Sequence, residues 1–145
     1  MLVKQILAGK PAGKVIMIKK SDTVSTAAEI LSREKIGAVI VSDDGNTVDG
    51  ILSERDIVRE IGRRGAACMR DSVADVMTNV VVGCHPGDKA NSILEQMTDG
   101  RFRHMPVIEN NKMIGVISIG DVVKARITEV ESENTALTEM ISSGY

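Results

Sequence analysis

A short motif occurs twice in this chain of 145 residues, and the distance between its copies limits the fold more than any other feature. Val48-Asp49-Gly50-Ile51-Leu52-Ser53-Glu54-Arg55-Asp56 and Met113-Ile114-Gly115-Val116-Ile117-Ser118-Ile119-Gly120-Asp121 share a glycine, a serine and an aspartate, and the differences 115 − 50, 118 − 53 and 121 − 56 are all 65. Two copies at so long a period describe a duplicated unit, not a solenoid. The match extends upstream. Val24, Ala27, Ala28 and Leu31 stand at i, i+3, i+4 and i+7, and Ala90, Ile93, Leu94 and Met97 repeat that stripe 66 residues on (90 − 24), so each copy carries an amphipathic helix.

The elements around these anchors follow from local chemistry. Val15-Ile16-Met17-Ile18 and Val80-Val81-Val82 are β-branched runs that predict buried strands before the two helices. Ala38–Val41 and Met105–Ile108 predict the next strands. They join the motif strands through turns at Asp43-Asp44-Gly45-Asn46 and Glu109-Asn110-Asn111-Lys112, the second one residue shorter, which accounts for the change of offset from 66 to 65. A helix follows each motif serine, from Glu54 to about Arg64 and from Ile119 onward. Val3, Ile6 and Leu7 mark a short helical turn echoed at Val73–Met77. Each repeat therefore reads strand, helix, strand, strand, helix. The stretch from Gly62 to Asp71, with Gly65, Ala66 and Ala67, reads as the connection between the repeats, with residues 65–70 as the linker proper. Gly9-Lys10-Pro11-Ala12-Gly13-Lys14 is not a phosphate loop: its glycines are one residue too close, Val15 replaces the required hydroxyl and no strand precedes it. It reads as a linker turn.

Composition removes several functions. Eighteen basic residues against twenty acidic ones give a net charge of −2, without the basic excess that holds a nucleic-acid backbone. With only Phe102 and Tyr145 as aromatic residues, there is no row of stacking platforms for single strands. No apolar run is long enough to span a bilayer, and Cys68 and Cys84 are too few for a disulfide scaffold, so the chain reads as cytoplasmic and reduced. Cys84-His85, Cys68 and His104 do not have the spacing of a metal site, and no set of nucleophile and base can be assigned. Cys84 corresponds to Ile18 and reads as a buried strand position. The eight methionines read as core filling.

The last helix outlasts its repeat. Ile127, Val130, Asn134, Leu137 and Ile141 alternate by three and four, a seam of about two heptads with one polar member. Such a seam either packs on another surface or subunit or remains an exposed helix edge.

A serine at a strand-to-helix junction sits beside unpaired amides and the positive end of the helix dipole, a setting that suits phosphate. A carboxylate three residues later can accept two hydrogen bonds from vicinal sugar hydroxyls. Ser53 with Asp56, and Ser118 with Asp121, have this spacing. The same Ser-x-x-Asp pattern also makes a capping box, in which the side chains serve their own helix amides. Taken alone it reads first as a cap, and the two roles can alternate when ligand enters.

The doubled Gly-Ile-Leu-Ser-Glu-Arg-Asp and Gly-Val-Ile-Ser-Ile-Gly-Asp, with Arg103-His104-Met105-Pro106-Val107, resemble cystathionine-β-synthase (CBS) domain pairs over roughly residues 1–131. The resemblance implies an α+β fold of two tandem β-α-β-β-α repeats, 1–64 and 71–131, packed about a pseudo-twofold axis, plus a C-terminal helical extension over 132–145. It also implies clefts between the repeats that hold adenine nucleotides. There the motif aspartates Asp56 and Asp121 would bond ribose, and Ser53 and Ser118 would lie near ribose or phosphate. Arg103 and His104, where the first copy has Gly37 and Ala38, would meet phosphate. Adenine would lie among aliphatic groups such as Val80, Met105 and Pro106, with Thr78 at its edge. Arg55, Lys19 and Lys20 read better as a solvated face. The expected protein is thus a non-catalytic regulatory module. It would bind AMP, or else ADP, ATP or NAD(H), without a metal, and act as a homodimer on an unknown regulated protein. The competing readings are a structural dimerisation protein with vestigial clefts and, third, a nucleotide-processing enzyme.

Overall fold

Two β-branched runs decide where the first sheet lies. In the computed structural model, which describes residues 1–10, 15–79 and 81–144, the helices and strands are α1 (Val3–Ala8), β1 (Met17–Ile18), α2 (Val24–Glu34), β2 (Ala38–Val41), β3 (Gly50–Ser53), α3 (Glu54–Arg64), α4 (Val73–Val76), α5 (Ala90–Gly100), β4 (His104–Glu109), β5 (Lys112–Ser118) and α6 (Ile119–Gly144). β1 pairs parallel with β2 through Met17↔Ile40 and Ile18↔Val41, and α2 is the crossover such pairing requires. β3 then pairs antiparallel with β2, Ala38 opposite Ser53 and Val41 opposite Gly50, giving the order β1-β2-β3. Thr23 caps α2 by accepting the Thr26 amide at 3.2 Å. Lys35 ends it in the left-handed region at φ 55°, as Arg101 ends α5 at φ 56°. These C-caps are 66 residues apart, the same offset as the apolar stripes.

The chain forms two compact units that do not coincide with the sequence repeats. One comprises Gly13–Gly83 and Glu109–Ile114, the other Met1–Ala12, Cys84–Ile108 and Gly115–Tyr145. In the first, Ile18, Val24, Ala27, Leu31, Val39, Val41, Leu52 and Ile57 form a core closed by Val73 and Val76 of α4. In the second, Cys84, Ala90, Ile93, Met97, Val107 and Ile117 form a core closed by Val3 and Ile6 of α1. The short helices attach by matching bridges: Val73 donates its amide to the Asp22 carbonyl and Thr23 bridges Ser72, while Val3 donates to Asp88 and Leu2 bridges Lys89. Helices of four and six residues are too short to persist alone. Each is held by the α2 or α5 start it meets, so α1 belongs with the second repeat's elements and α4 with the first's.

One predicted strand is corrected. Val81 and Val82 are not in a strand, and Val82 is exposed; Val80 lies outside the described residues. Pairing there shrinks to one parallel bridge, Cys84↔Val107, in which Cys84 donates its amide to Pro106 and accepts from Ile108. Only the residue equivalent to Ile18 is buried enough to need it. α3 ends at Arg64, as its apolar pattern predicts, and the linker residues Gly65–Arg70 form a 3-10 helix. The two turns also differ. Asn110 and Asn111 both take positive φ (53° and 63°) between β4 and β5, the pattern of a tight type I′ turn. The loop from Ser42 to Asp49 is wider and is held by Asp44, whose carboxylate accepts the Asn46 and Thr47 amides. Those bonds hold its carboxyl well below the ordinary carboxylate range.

Beyond Ala125, α6 leaves the core. Ile127, Val130, Leu137, Met140 and Ile141 are all exposed, so the heptad seam is uncovered. Among the described residues no helix is long and apolar enough to cross a membrane.

Candidate functional site

Each motif strand delivers its serine to a helix start in the same way. Glu54 donates its amide to the Gly37 carbonyl at 3.0 Å, and Ile119 donates to the Arg103 carbonyl at 2.8 Å. The start of each helix is therefore pinned to the residue before the motif strand's hairpin partner, Gly37 before β2 and Arg103 before β4. Ser118 Oγ accepts the Asp121 amide at 3.1 Å, and Asp121 Oδ2 accepts the Ser118 amide at 2.8 Å. Ser53 and Asp56 repeat the exchange at 3.2 and 3.0 Å. Both motif carboxylates are thus folded back as capping boxes, which satisfies amides that the helix cannot.

The second oxygen of each carboxylate separates the copies. Asp56 Oδ1 accepts Arg59 at 2.8 Å and lies 3.4 Å from Thr78 Oγ1, while Oδ2 also accepts the Ser53 hydroxyl. Its side chain is only 6% exposed. Asp121 is 25% exposed, and its Oδ1 has no hydrogen-bond partner among the described residues. Lys10 Nζ reaches Asp121 Oδ2 at 2.8 Å and the Val116 carbonyl at 2.9 Å. Partial burial pushes the Asp121 carboxyl up, but the Lys10 ammonium and the Ser118 amide outweigh it and hold it below the usual range. A depressed carboxyl contributes stability above its unfolded value, and that contribution is lost as pH falls through the folded one.

Ser118, Asp121, Arg103, His104, Met105 and Pro106 belong to one unit, and Ser53, Asp56 and Thr78 to the other. Arg103 is exposed beside the start of α6, and His104 is half-buried at the start of β4. Met105 has no exposed surface and packs in the core, so its side chain is a packing group, and Pro106 is buried next to it. Thr78 forms a two-bond bridge with Ile51 as well as its Asp56 contact. Arg55 and Lys19 are exposed, and Lys20 faces Asp43 at 3.5 Å. Lys10 was hidden in the stretch read as a linker turn, of which Pro11, Ala12, Gly13 and Lys14 lie outside the described residues. Its counterpart in the other copy, Thr78, is a neutral hydroxyl and gives no sign of a cation here.

Two copies of one strand-serine-helix device, each with its own capping aspartate, are what the family comparison matches. The model of the CBS domain fits residues 3–63 and again 73–128. The chain belongs to the CBS domain family. A mitochondrial CBS domain-containing protein of Arabidopsis thaliana is 37% identical over 94% of this chain and 69% of its own length. The crystal structure of a CBS-domain protein from Agrobacterium tumefaciens is 45% identical, with a TM-score of 0.83 over 87% of this chain and 99% of that one. A CBS domain protein of Pyrobaculum aerophilum, solved in complex with AMP, shares the fold at 19% identity and a TM-score of 0.72, over 83% of this chain and 89% of that one.

Among the described residues no three His, Cys, Asp or Glu side chains group as a metal site. Both cysteines are free and buried, and burial, with Asp88 nearby, pushes the Cys84 thiol up to about 12. Because the thiolate is the reactive form, titration of the native protein with a thiol-reactive dye is expected to show almost no reaction at neutral pH, and two thiols after denaturation. Rapid native labelling of Cys84 would contradict this burial.

Proposed function

We propose that this CBS pair is a regulatory sensor that binds an adenine nucleotide, AMP foremost, at the Ser118–Asp121 helix start, with Arg103 and His104 toward its phosphate. The observation that carries this reading is Asp121 Oδ1, which has no hydrogen-bond partner among the described residues and belongs to a quarter-exposed carboxylate already oriented by the Ser118 amide. The AMP complex of the Pyrobaculum relative supports the ligand class. ADP, ATP and NAD(H) share the ribose and adenine and remain in the same class. The module is non-catalytic and cytoplasmic. It works as a homodimer that uses the exposed seam of α6, where Asn134 at a core position would fix register, and passes occupancy to a regulated partner through differential affinity for two arrangements.

A second reading has its own support: two closed capping boxes are what a purely structural dimerisation protein would keep. Thermal denaturation with AMP, ADP, ATP, NAD, NADH and S-adenosylmethionine separates the two. A bound nucleotide at 100 times its dissociation constant is expected to add about 2.7 kcal/mol, and Asp121→Ala should remove that gain while costing about 1 kcal/mol as a cap. Absence of a shift with every nucleotide defeats the sensor reading, and turnover of the ligand would make the protein an enzyme.

A further inference from the structure

The two motif aspartates are held by different cations, and the difference bears on which ligands the Asp121 end accepts. Asp56 takes its cation from its own helix, Arg59 at 2.8 Å, and a neutral hydroxyl from Thr78. Sixty-five residues on from Arg59 (124 − 59) stands Lys124, which is exposed and forms no ion pair among the described residues. The cation at Asp121 comes instead from the amino-terminal segment. Lys10 donates to Val116 and to Asp121 Oδ2, the acceptors equivalent to Ile51 and Asp56 that Thr78 serves in the other copy.

Counting lone pairs gives the consequence. Asp121 Oδ2 already accepts the Ser118 amide and Lys10, which fills its two acceptor positions, while Oδ1 has no hydrogen-bond partner among the described residues. A vicinal diol that uses both oxygens must take the place of Lys10 on Oδ2. A displaced ammonium beside a carboxylate site needs another anion, and it has three donors on a flexible stem with which to find one. On the sensor reading above, we infer that Lys10 is a discriminating residue. It leaves Asp121 for the anionic group of the ligand, so the site takes nucleoside phosphates and rejects the uncharged nucleoside. A neutral nucleoside would break the Lys10–Asp121 pair and offer nothing in return.

Calorimetric titration of the full chain with AMP and with adenosine tests this in the native protein, Lys10→Met and Lys10→Arg. Lys10 is 37% exposed, so neither change removes a core contact. The native protein should prefer AMP, Lys10→Met should shrink the AMP-to-adenosine affinity ratio by about tenfold, as expected for loss of one charge-assisted bond, and Lys10→Arg should retain most of it. A ratio unchanged in Lys10→Met, while Asp121→Asn weakens both ligands, overturns the role of Lys10 and leaves the sensor reading standing. If the native protein binds neither ligand, the assignment of AMP falls and takes this inference with it.

Discussion

Asp56→Ala is expected to destabilise the protein by about 2–3 kcal/mol, lowering the melting temperature by roughly 5–10 °C, and to do so more than Asp121→Ala. The Asp56 carboxylate is 6% exposed and accepts the Ser53 amide, the Ser53 hydroxyl and Arg59, with Thr78 at the edge of reach. Removing it opens one half of the α3 capping box, since the Ser53 hydroxyl can still accept the residue 56 amide, and leaves the half-buried Ser53 amide without an acceptor, an unsatisfied donor that carries the full desolvation cost. Arg59 is 58% exposed and can return to water, so its lost ion pair adds little. Asp121 is reached by solvent, which can replace part of what its side chain supplies. Asp56→Asn should recover part of the loss, since the amide oxygen can still accept the Ser53 N–H. Denaturant melts of the three variants check the order. Equal losses at Asp56 and Asp121 would mean the copies are energetically alike despite their different surroundings.

This asymmetry marks where sequence reading stops. Gly50, Ser53 and Asp56 match Gly115, Ser118 and Asp121 by type and spacing, and both capping boxes follow from that, because a cap is made by residues three apart. The stripes of α2 and α5 and the strands β2 and β4 were legible for the same reason: period and β-branching are local properties. The cations at the two carboxylates were not. Arg59 is one helical turn from Asp56, but Lys10 and Asp121 are 111 residues apart in the chain, and only tertiary packing joins them. The placing of α1 with the second repeat's elements was hidden in the same way, since Val3 and Ile6 would suit either core. The Val81-Val82 error had a related source. A β-branched run predicts a strand only where a partner edge is within reach, and here, among the described residues from Val81 to Cys84, Cys84 alone finds one.

The motif glycines should part company as well. Gly50→Ala is expected to cost about 2–3 kcal/mol, while Gly115→Ala should stay within about 1 kcal/mol. A Cβ on Gly50 would lie 2.8 Å from the Thr78 carbonyl oxygen and 2.6 Å from Met77 Sδ. The sulfur is on a flexible side chain and can swing away. The carbonyl cannot, because Thr78 is fixed to Ile51 by bonds of 2.9 and 2.8 Å in both directions. Making room therefore opens that bridge, and the Thr78 hydroxyl then leaves Asp56, so the strain reaches the α3 cap. On Gly115 the added carbon meets only the Leu7 side chain, nearest atom Cδ2 at 2.9 Å, and a terminal methyl can yield by a rotamer change. The glycine of the first copy is thus required by a backbone approach, and that of the second by a leucine end that can move. Chemical denaturation of Gly50→Ala and Gly115→Ala reads the difference directly. A Gly115→Ala loss as large as that of Gly50→Ala would show that Leu7 is as immobile as a hydrogen-bonded carbonyl. Amide exchange gives a second check: in Gly50→Ala the Ile51 and Thr78 amides should lose protection ahead of the Val39 and Val41 amides in the same sheet.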